Sequence, residues 1–197
     1  MSFANRTSKL ILASASPRRR QLLAGLGLPF EAIAVELDEQ GVNEPTPDRL
    51  VRRLAVEKAE RVARQRPDAI VIGADTVVVH GGEVLGKPRD ASDAVTMLRR
   101  LSGQTHHVYT GVAVVCQAEG RELVEHEVTA VTFGELTPRA IERYVASGEP
   151  LDKAGAYGIQ GVGATLVRRV EGCYFNVVGL PLYRLARMLA AFGIEIP

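Results

Sequence analysis

Several residues sit where packing alone would not put them. Asp75 lies in the apolar run Ala69–Val79 (AIVIGADTVVV). A buried carboxylate is costly unless paired, hydrogen-bonded or bound to metal. Asp75 is therefore either structurally partnered or a working acid–base group. Thr76 follows it directly. Neighbours on a regular strand point to opposite faces, so both can serve one site only if the strand bends or ends there. Lys58 falls at the helical spacing of Leu50, Val51, Leu54 and Ala55. It either lays its stem along apolar surface or reaches into a pocket to hold an anion. Arg18, Arg19 and Arg20 follow Ser14-Ala15-Ser16-Pro17, in the first turn of an expected helix. The positive end of a helix disfavours cations, and a bound anion reverses that balance. A strand, a Ser-rich turn and a helix N-terminus make a ready phosphate site. The alternative is three solvated arginines, and no P-loop pattern is present.

Other candidates lie in loops. Asp38 and Glu39 offer carboxylates of the kind hard cations such as Mg²⁺ favour, and are otherwise solvated loop acids. Lys87 sits at the tip of Leu85-Gly86-Lys87-Pro88. The stretch Asp152–Gly161 (DKAGAYGIQG) has glycines that let backbone approach a ligand closely. Within it, Gln160 carries both a donor and an acceptor, suited to reading a base edge. The other reading of this stretch is an ordinary turn-rich connection. His106 and His107 have no metal-ligand companion at useful spacing and read as structural or exposed.

The elements that must position these residues follow from periodicity and turn chemistry. Lys9–Ala13 predicts a buried strand, and a helix opening at Pro17 carries Leu22, Leu23 and Leu26 and ends at Gly27. Phe30–Val35 predicts a second strand, followed by an acidic loop, Glu36 to Glu44. Thr46-Pro47 opens a long helix closed by Pro67. Ala69–Val79 is the strongest strand, and His80-Gly81-Gly82-Glu83 reads as a hairpin turn. Asp90 caps a helix to Leu101. Thr105–Gln117 and Glu122–Phe133 predict an antiparallel pair. A helix follows Thr137-Pro138, with Ala140, Ile141, Tyr144 and Val145 inward. Gly148 to Gly163 favours loop, Ala164–Val170 a strand, and Pro181–Phe192 a last helix. Strands mixed with helices through both kinds of connection predict an α/β class with a mixed sheet.

Composition bounds the rest. The chain has 197 residues, 46% of them hydrophobic, which suits one domain spanning 1–197 with a core able to fold alone. Its 24 Lys+Arg and 23 Asp+Glu give a formal net charge of +1. That balance exerts no general pull toward nucleic acid or anionic membrane. Cys116 and Cys173 show no zinc spacing and read as free thiols. Met1 to Lys9 lacks the layout of a secretion signal. No apolar run reaches the ~18 residues that span a bilayer, so the expected location is cytoplasmic.

Seven stretches together resemble the Maf family of nucleotide pyrophosphatases. They are Ser14–Arg19 (SASPRR), Glu57-Lys58-Ala59 (EKA), Gly73–Val77 (GADTV), Leu85–Pro88 (LGKP), Ser102–Gly111 (SGQTHHVYTG), Asp152–Gly161 (DKAGAYGIQG) and Asn176–Pro181 (NVVGLP). Each is weak alone, but they occur in the family's order from Leu10 to Pro181. The resemblance implies an elongated α/β fold with a mixed sheet and a cleft between two lobes, the Maf/ITPase-like architecture. It implies Mg²⁺-dependent hydrolysis (or Mn²⁺ or Co²⁺) of a nucleoside triphosphate to monophosphate and pyrophosphate. It also implies housekeeping of the nucleotide pool, a link to septum formation, and homodimers.

Arg18, Thr76 and Gln160 are similar to the branch acting on dTTP and UTP; the 7-methyl-GTP branch differs there. On this resemblance Ser14, Arg18, Arg19, Lys58 and Lys87 hold the triphosphate, and Glu39 and Asp75 hold the metal. Asp75 is also the base that activates water, and Lys58 and Lys87 assist catalysis. Thr76 and Gln160 read the pyrimidine edge, and Lys153 orients its loop or touches phosphate. The competing readings are a nucleotide-binding regulator of division with little turnover, the 7-methyl-GTP branch, and a phosphatase releasing orthophosphate.

Overall fold

The computed structural model describes residues 9–37, 42 and 44–196. In chain order its regular elements are β1 (Leu10–Ala13), α1 (Pro17–Ala24), β2 (Phe30–Ile33), α2 (Pro47–Ala63), β3 (Ile70–His80), β4 (Glu83–Leu85), α3 (Ala91–Leu101), β5 (Thr105–Cys116), β6 (Arg121–Phe133), α4 (Pro138–Ala146), β7 (Val167–Glu171), α5 (Tyr174–Val178) and α6 (Leu182–Ala191). Among the described residues the strands form one seven-stranded mixed sheet in the order β2-β1-β3-β5-β6-β7, with β4 paired to β3. The β1 pairings with β2 and β3 are parallel. The pairings of β3 with β4 and β5, β5 with β6, and β6 with β7 are antiparallel.

The local starts and stops follow from side-chain chemistry. Ser16 caps α1 by accepting from the Arg19 N–H, Asp90 caps α3 from Asp93, and Thr137 caps α4 from Ala140. Gly81 and Gly82 both take positive φ (60° and 82°), as a two-residue hairpin between β3 and β4 requires. α1 stops at Ala24, before the expected Gly27, which instead closes the turn behind it at φ 72°. α2 likewise ends at Ala63, ahead of Pro67. β2 ends at Ile33 because its partner β1 ends at Ala13. The segment Gly161–Leu166 is wound into a 3₁₀ turn, so β7 begins only at Val167. The five-residue α5 is too short to show a helical period and was not expected.

α2 lies on one face of the sheet and buries Ile11, Ala13, Ala55, Ala59, Val71 and Ala113. α1 and α6 cover the other face around Leu12, Ile72, Leu185 and Leu189. Farther along β3 and β5, α3, α4 and the Tyr157 region enclose a separate core around Val78, Leu98, Phe133 and Ile141. β3 and β5 run through both bodies.

α2 approaches the sheet unusually closely, and two glycines permit it. A Cβ on Gly73 would stand 2.1 Å from the Ala55 carbonyl, and one on Gly111 would stand 2.2 Å from the Val51 carbonyl. Gly111 is the cross-strand partner of Asp75. The glycines therefore bring the helix backbone down beside the expected catalytic carboxylate. Among the described residues no helix is long and apolar enough to cross a membrane.

Candidate active site

The site opens at a gap in the sheet. β1 pairs with β3 only over Ile70–Gly73, and β4 pairs with the same edge of β3 only over Val78–His80. Ala74 to Val77 therefore has no strand beside it on that edge among the described residues. β1 ends where Ser14 N–H turns back onto the Leu12 carbonyl at 3.0 Å. The vacated edge opens into a cavity of about 590 Å³. Asp75 and Thr76 point to opposite faces of β3, yet both line this cavity. No bend is needed, because the cavity reaches both faces around the bare edge.

On the α2 face, Lys58 Nζ lies 2.5 Å from Asp75 Oδ1, and both residues are buried, at 8% and 6% exposure. Desolvating two charges offsets much of their attraction. The pair is better understood as a pre-set carboxylate and cation at a cavity wall than as a stabilising brace.

On the opposite face, Arg19 donates through Nε to the Gly179 carbonyl at 2.7 Å and through Nη2 to Thr76 Oγ1 at 2.8 Å. Thr76 Oγ1 lies 2.9 Å from Thr110 Oγ1, and Thr110 donates to the Asn176 carbonyl at 3.0 Å. Asn176 is fully buried, and its amide donates to the Val108 carbonyl and to Thr129 Oγ1.

The remaining candidates line the same cavity. Ser14 is buried, with Oγ accepting from the Ser16 N–H at 3.1 Å. Arg18 borders the cavity at the N-terminus of α1, and Lys87 stands exposed at its rim. The Lys87 loop is tied down by Gly155 N–H donating to the Gly86 carbonyl at 3.0 Å. Lys153 is mostly buried, and its ammonium donates to the Glu149 carbonyl and to Asp152 Oδ1 at 2.6 Å. Burial pushes the Asp152 carboxyl up, but Lys153, and more distantly Arg18, hold it below the usual range.

Gln160 is exposed at the cavity mouth on a loop clamped at both ends. Tyr144 Oη accepts from Gly158 N–H at 3.1 Å and donates to Glu149 Oε1 at 2.9 Å. Glu149 also accepts the N–H groups of Val162 and Gly163, each at 3.0 Å. Burial opposes ionisation of Glu149, but these donors hold its carboxyl below the ordinary value. A side chain on Gly163 would strike the Gly158 carbonyl at 2.3 Å and Tyr144 Oη at 2.5 Å, so the clamp needs glycine there.

The structure thus brings Ser14, Arg18, Arg19, Lys58, Asp75, Thr76, Lys87, Lys153 and Gln160 around one cavity. Asp38 and Glu39 lie outside the described residues. Thr110, Asn176, Tyr144 and Glu149 were not expected as site residues. Thr110 and Asn176 fall inside the motif stretches, and Glu149 lies just outside one, with Pro150 and Leu151 between it and Asp152. His106 is fully buried, with Nε2 2.8 Å from Tyr157 Oη and its ring edge-on to Phe133, while His107 is exposed. Both cysteines are free thiols.

A divalent cation fits this donor set. Asp75 presents hard carboxylate oxygen at the wall of a cavity ringed by phosphate-type cations. Among the described residues no three His, Cys, Asp or Glu side chains gather into a ready cage. Mg²⁺ does not need one, since it is commonly held by one or two carboxylates, waters and substrate phosphates.

Comparison with known proteins bears on the family and the fold. The family model for Maf-like protein matches residues 9–192. The chain is 59% identical over 189 residues to a dTTP/UTP pyrophosphatase of Moorella thermoacetica, covering 96% of this chain and 97% of that protein. It is 54% identical over 188 residues to a dTTP/UTP pyrophosphatase of Symbiobacterium thermophilum, covering 95% and 96%. In fold it is similar to a HAM1 protein from Coxiella burnetii, with a TM-score of 0.51 at 14% identity over 81% of this chain and 80% of that one. The Ham1 protein of Staphylococcus aureus gives the same TM-score, 0.51, at 12% identity over the same shares, 81% and 80%.

Proposed function

The chain belongs to the Maf-like protein family, and from that premise we propose that it hydrolyses dTTP and UTP to the monophosphate and pyrophosphate. The observation that carries the chemistry is the buried Lys58–Asp75 pair at the wall of a cavity whose mouth holds Arg18 and Lys87.

A triphosphate brings about four negative charges, and more charge develops on the leaving pyrophosphate. Ser14, Arg18, Arg19, Lys58 and Lys87 surround that charge, and groups already in place stabilise it without reorganising. Asp75 accepts a proton from the attacking water. The water oxygen bonds to the α-phosphorus as the bond to the α–β bridging oxygen breaks, and pyrophosphate leaves with the electron pair. Asp75 and Glu39 would hold the divalent cation, Mg²⁺ or Mn²⁺ or Co²⁺. When bound, it supplies charge neutralisation and a lower pKa for water. Lys58 fixes the orientation of the Asp75 carboxylate. Lys153, which donates to the Glu149 carbonyl and to Asp152, orients the Gln160 loop; those contacts support the first of its two roles. Thr76 and Gln160 read the base. Homodimer formation and a cytoplasmic setting belong to the same proposal and rest on the family resemblance.

The test is turnover with Mg²⁺ on dTTP, UTP, CTP, ATP, GTP and 7-methyl-GTP, separating pyrophosphate from orthophosphate. Monophosphate and pyrophosphate from dTTP and UTP are expected. Preference for 7-methyl-GTP would overturn the roles of Thr76 and Gln160. Orthophosphate would move the cut away from the α-phosphorus. Tight binding without turnover would make the chain a nucleotide-binding regulator.

A further inference from the structure

One direction of the hydroxyl relay behind Thr76 satisfies every contact it makes. Each threonine hydroxyl carries one proton and two lone pairs. Thr110 spends its proton on the Asn176 carbonyl, which can only accept. The 2.9 Å contact between Thr76 and Thr110 therefore requires Thr76 to be the donor. Arg19 Nη2, which can only donate, occupies one lone pair of Thr76 Oγ1. The Thr76 hydroxyl is left with one lone pair and no proton to give. Gly179 leaves space beside it, since a Cβ there would lie 3.4 Å from Thr76 Oγ1.

We propose that Thr110 is a specificity-positioning residue: by taking the Thr76 proton it makes Thr76 an acceptor-only reader of the base. The inference rests on the reading above, in which Thr76 meets the base edge. Thymine and uracil present a donor, N3–H, at the middle of that edge. Cytosine presents a bare N3 lone pair at the same place. A hydroxyl free to rotate would serve either base, donating to one and accepting from the other. A hydroxyl whose proton is held by Thr110 accepts N3–H and sets lone pair against lone pair for cytosine. Thr110 is fully buried and does not line the cavity, so it acts entirely through Thr76.

The experiment compares kcat/KM for dTTP and dCTP in the wild type and in Thr110→Val, Thr110→Ser and Thr76→Val. Any general disturbance of Arg19 affects both nucleotides and cancels in the ratio. Thr110→Val keeps the shape and frees the Thr76 proton. It should lower the dTTP:dCTP ratio about five- to tenfold, the scale of one neutral hydrogen bond, chiefly through KM. Thr110→Ser keeps the relay and should keep the ratio. If Thr76→Val changes the ratio and Thr110→Val does not, Thr76 reads the base without Thr110 and the inference is overturned. If Thr76→Val leaves the ratio unchanged, Thr76 does not meet the base, and both the reading and the inference fall. A measurement free of folding effects uses wild-type protein with N3-methyl-UTP. Blocking the donor should cut kcat/KM at least about fivefold relative to UTP, and equal turnover would overturn the inference.

Discussion

Gly111→Ala tests the close approach of α2, from which the geometry of the site derives. An alanine Cβ at this position would stand 2.2 Å from the Val51 carbonyl and 2.7 Å from the Arg52 nitrogen. Both obstacles are backbone, so no side chain can swing away. α2 must retreat by about 1 Å to regain van der Waals separation. Such overpacking costs about 1–3 kcal/mol, and a domain of this size loses about 2–4 °C in Tm per kcal/mol. The melting temperature should therefore fall by about 2–12 °C.

The same retreat draws Lys58 away from Asp75; the two now lie 2.5 Å apart, and Asp75 is the cross-strand partner of Gly111. Displacement of about 1 Å at a reacting centre can cost about 10²-fold in turnover. The sign is diagnostic, because alanine in a strand is ordinarily better than glycine by about 0.5–1 kcal/mol. Gly134→Ala is the control, since its Cβ would meet nothing closer than the Leu166 carbonyl at 4.0 Å. The assays are thermal unfolding by circular dichroism and pyrophosphate release from dTTP. A Gly111→Ala protein that melts and turns over like Gly134→Ala would refute the argument.

Asp75→Asn should fold and lose about 10²–10⁴-fold in pyrophosphate release, the usual contribution of a positioned base; turnover within tenfold of the wild type would remove Asp75 from that role. His106 should make stability fall with acid. Burial above all, then His80 and His107, lowers its pKa from 6.5 to about 4. Below pH 6.5 the unfolded chain takes up a proton that the folded imidazole refuses, so stability declines until about pH 4, by about 3 kcal/mol. Urea midpoints at pH 7 and pH 4.5 should differ less for His106→Gln than for the wild type. An identical pH slope in the two proteins would exclude His106 as a source.

The order of elements and the mixed sheet were legible because β1, α2, β3 and the β5–β6 pair carry clear periods and caps. Part of the candidate site was legible from Asp75 and Lys58, whose charge contradicts their apolar neighbours. How Asp75 and Thr76 share one site was not legible. It depends on where β1 stops relative to β3, a register that no residue of β3 records. Gly73 and Gly111 appeared only as letters of motifs, since the backbone they admit belongs to α2, many residues away. Thr110 looks like an ordinary strand residue, and Asn176 lies in a stretch with no expected element, until the relay joins them. Tyr144 read as a core aromatic, which its ring is; its hydroxyl has a second task that periodicity does not reveal.

The bare edge of β3 carries one more consequence. Four further residues of β1 in the same register would pair with Ala74 to Val77, complete the backbone hydrogen bonds of the sheet and exclude water from a stretch now open to the cavity. The turn at Ser14 prevents this. The protein therefore forgoes stability that a continuous β1 would supply. A stabilising redesign that extends this strand would improve the sheet and extinguish the enzyme, because the missing hydrogen bonds and the proposed seat for the nucleotide are the same space.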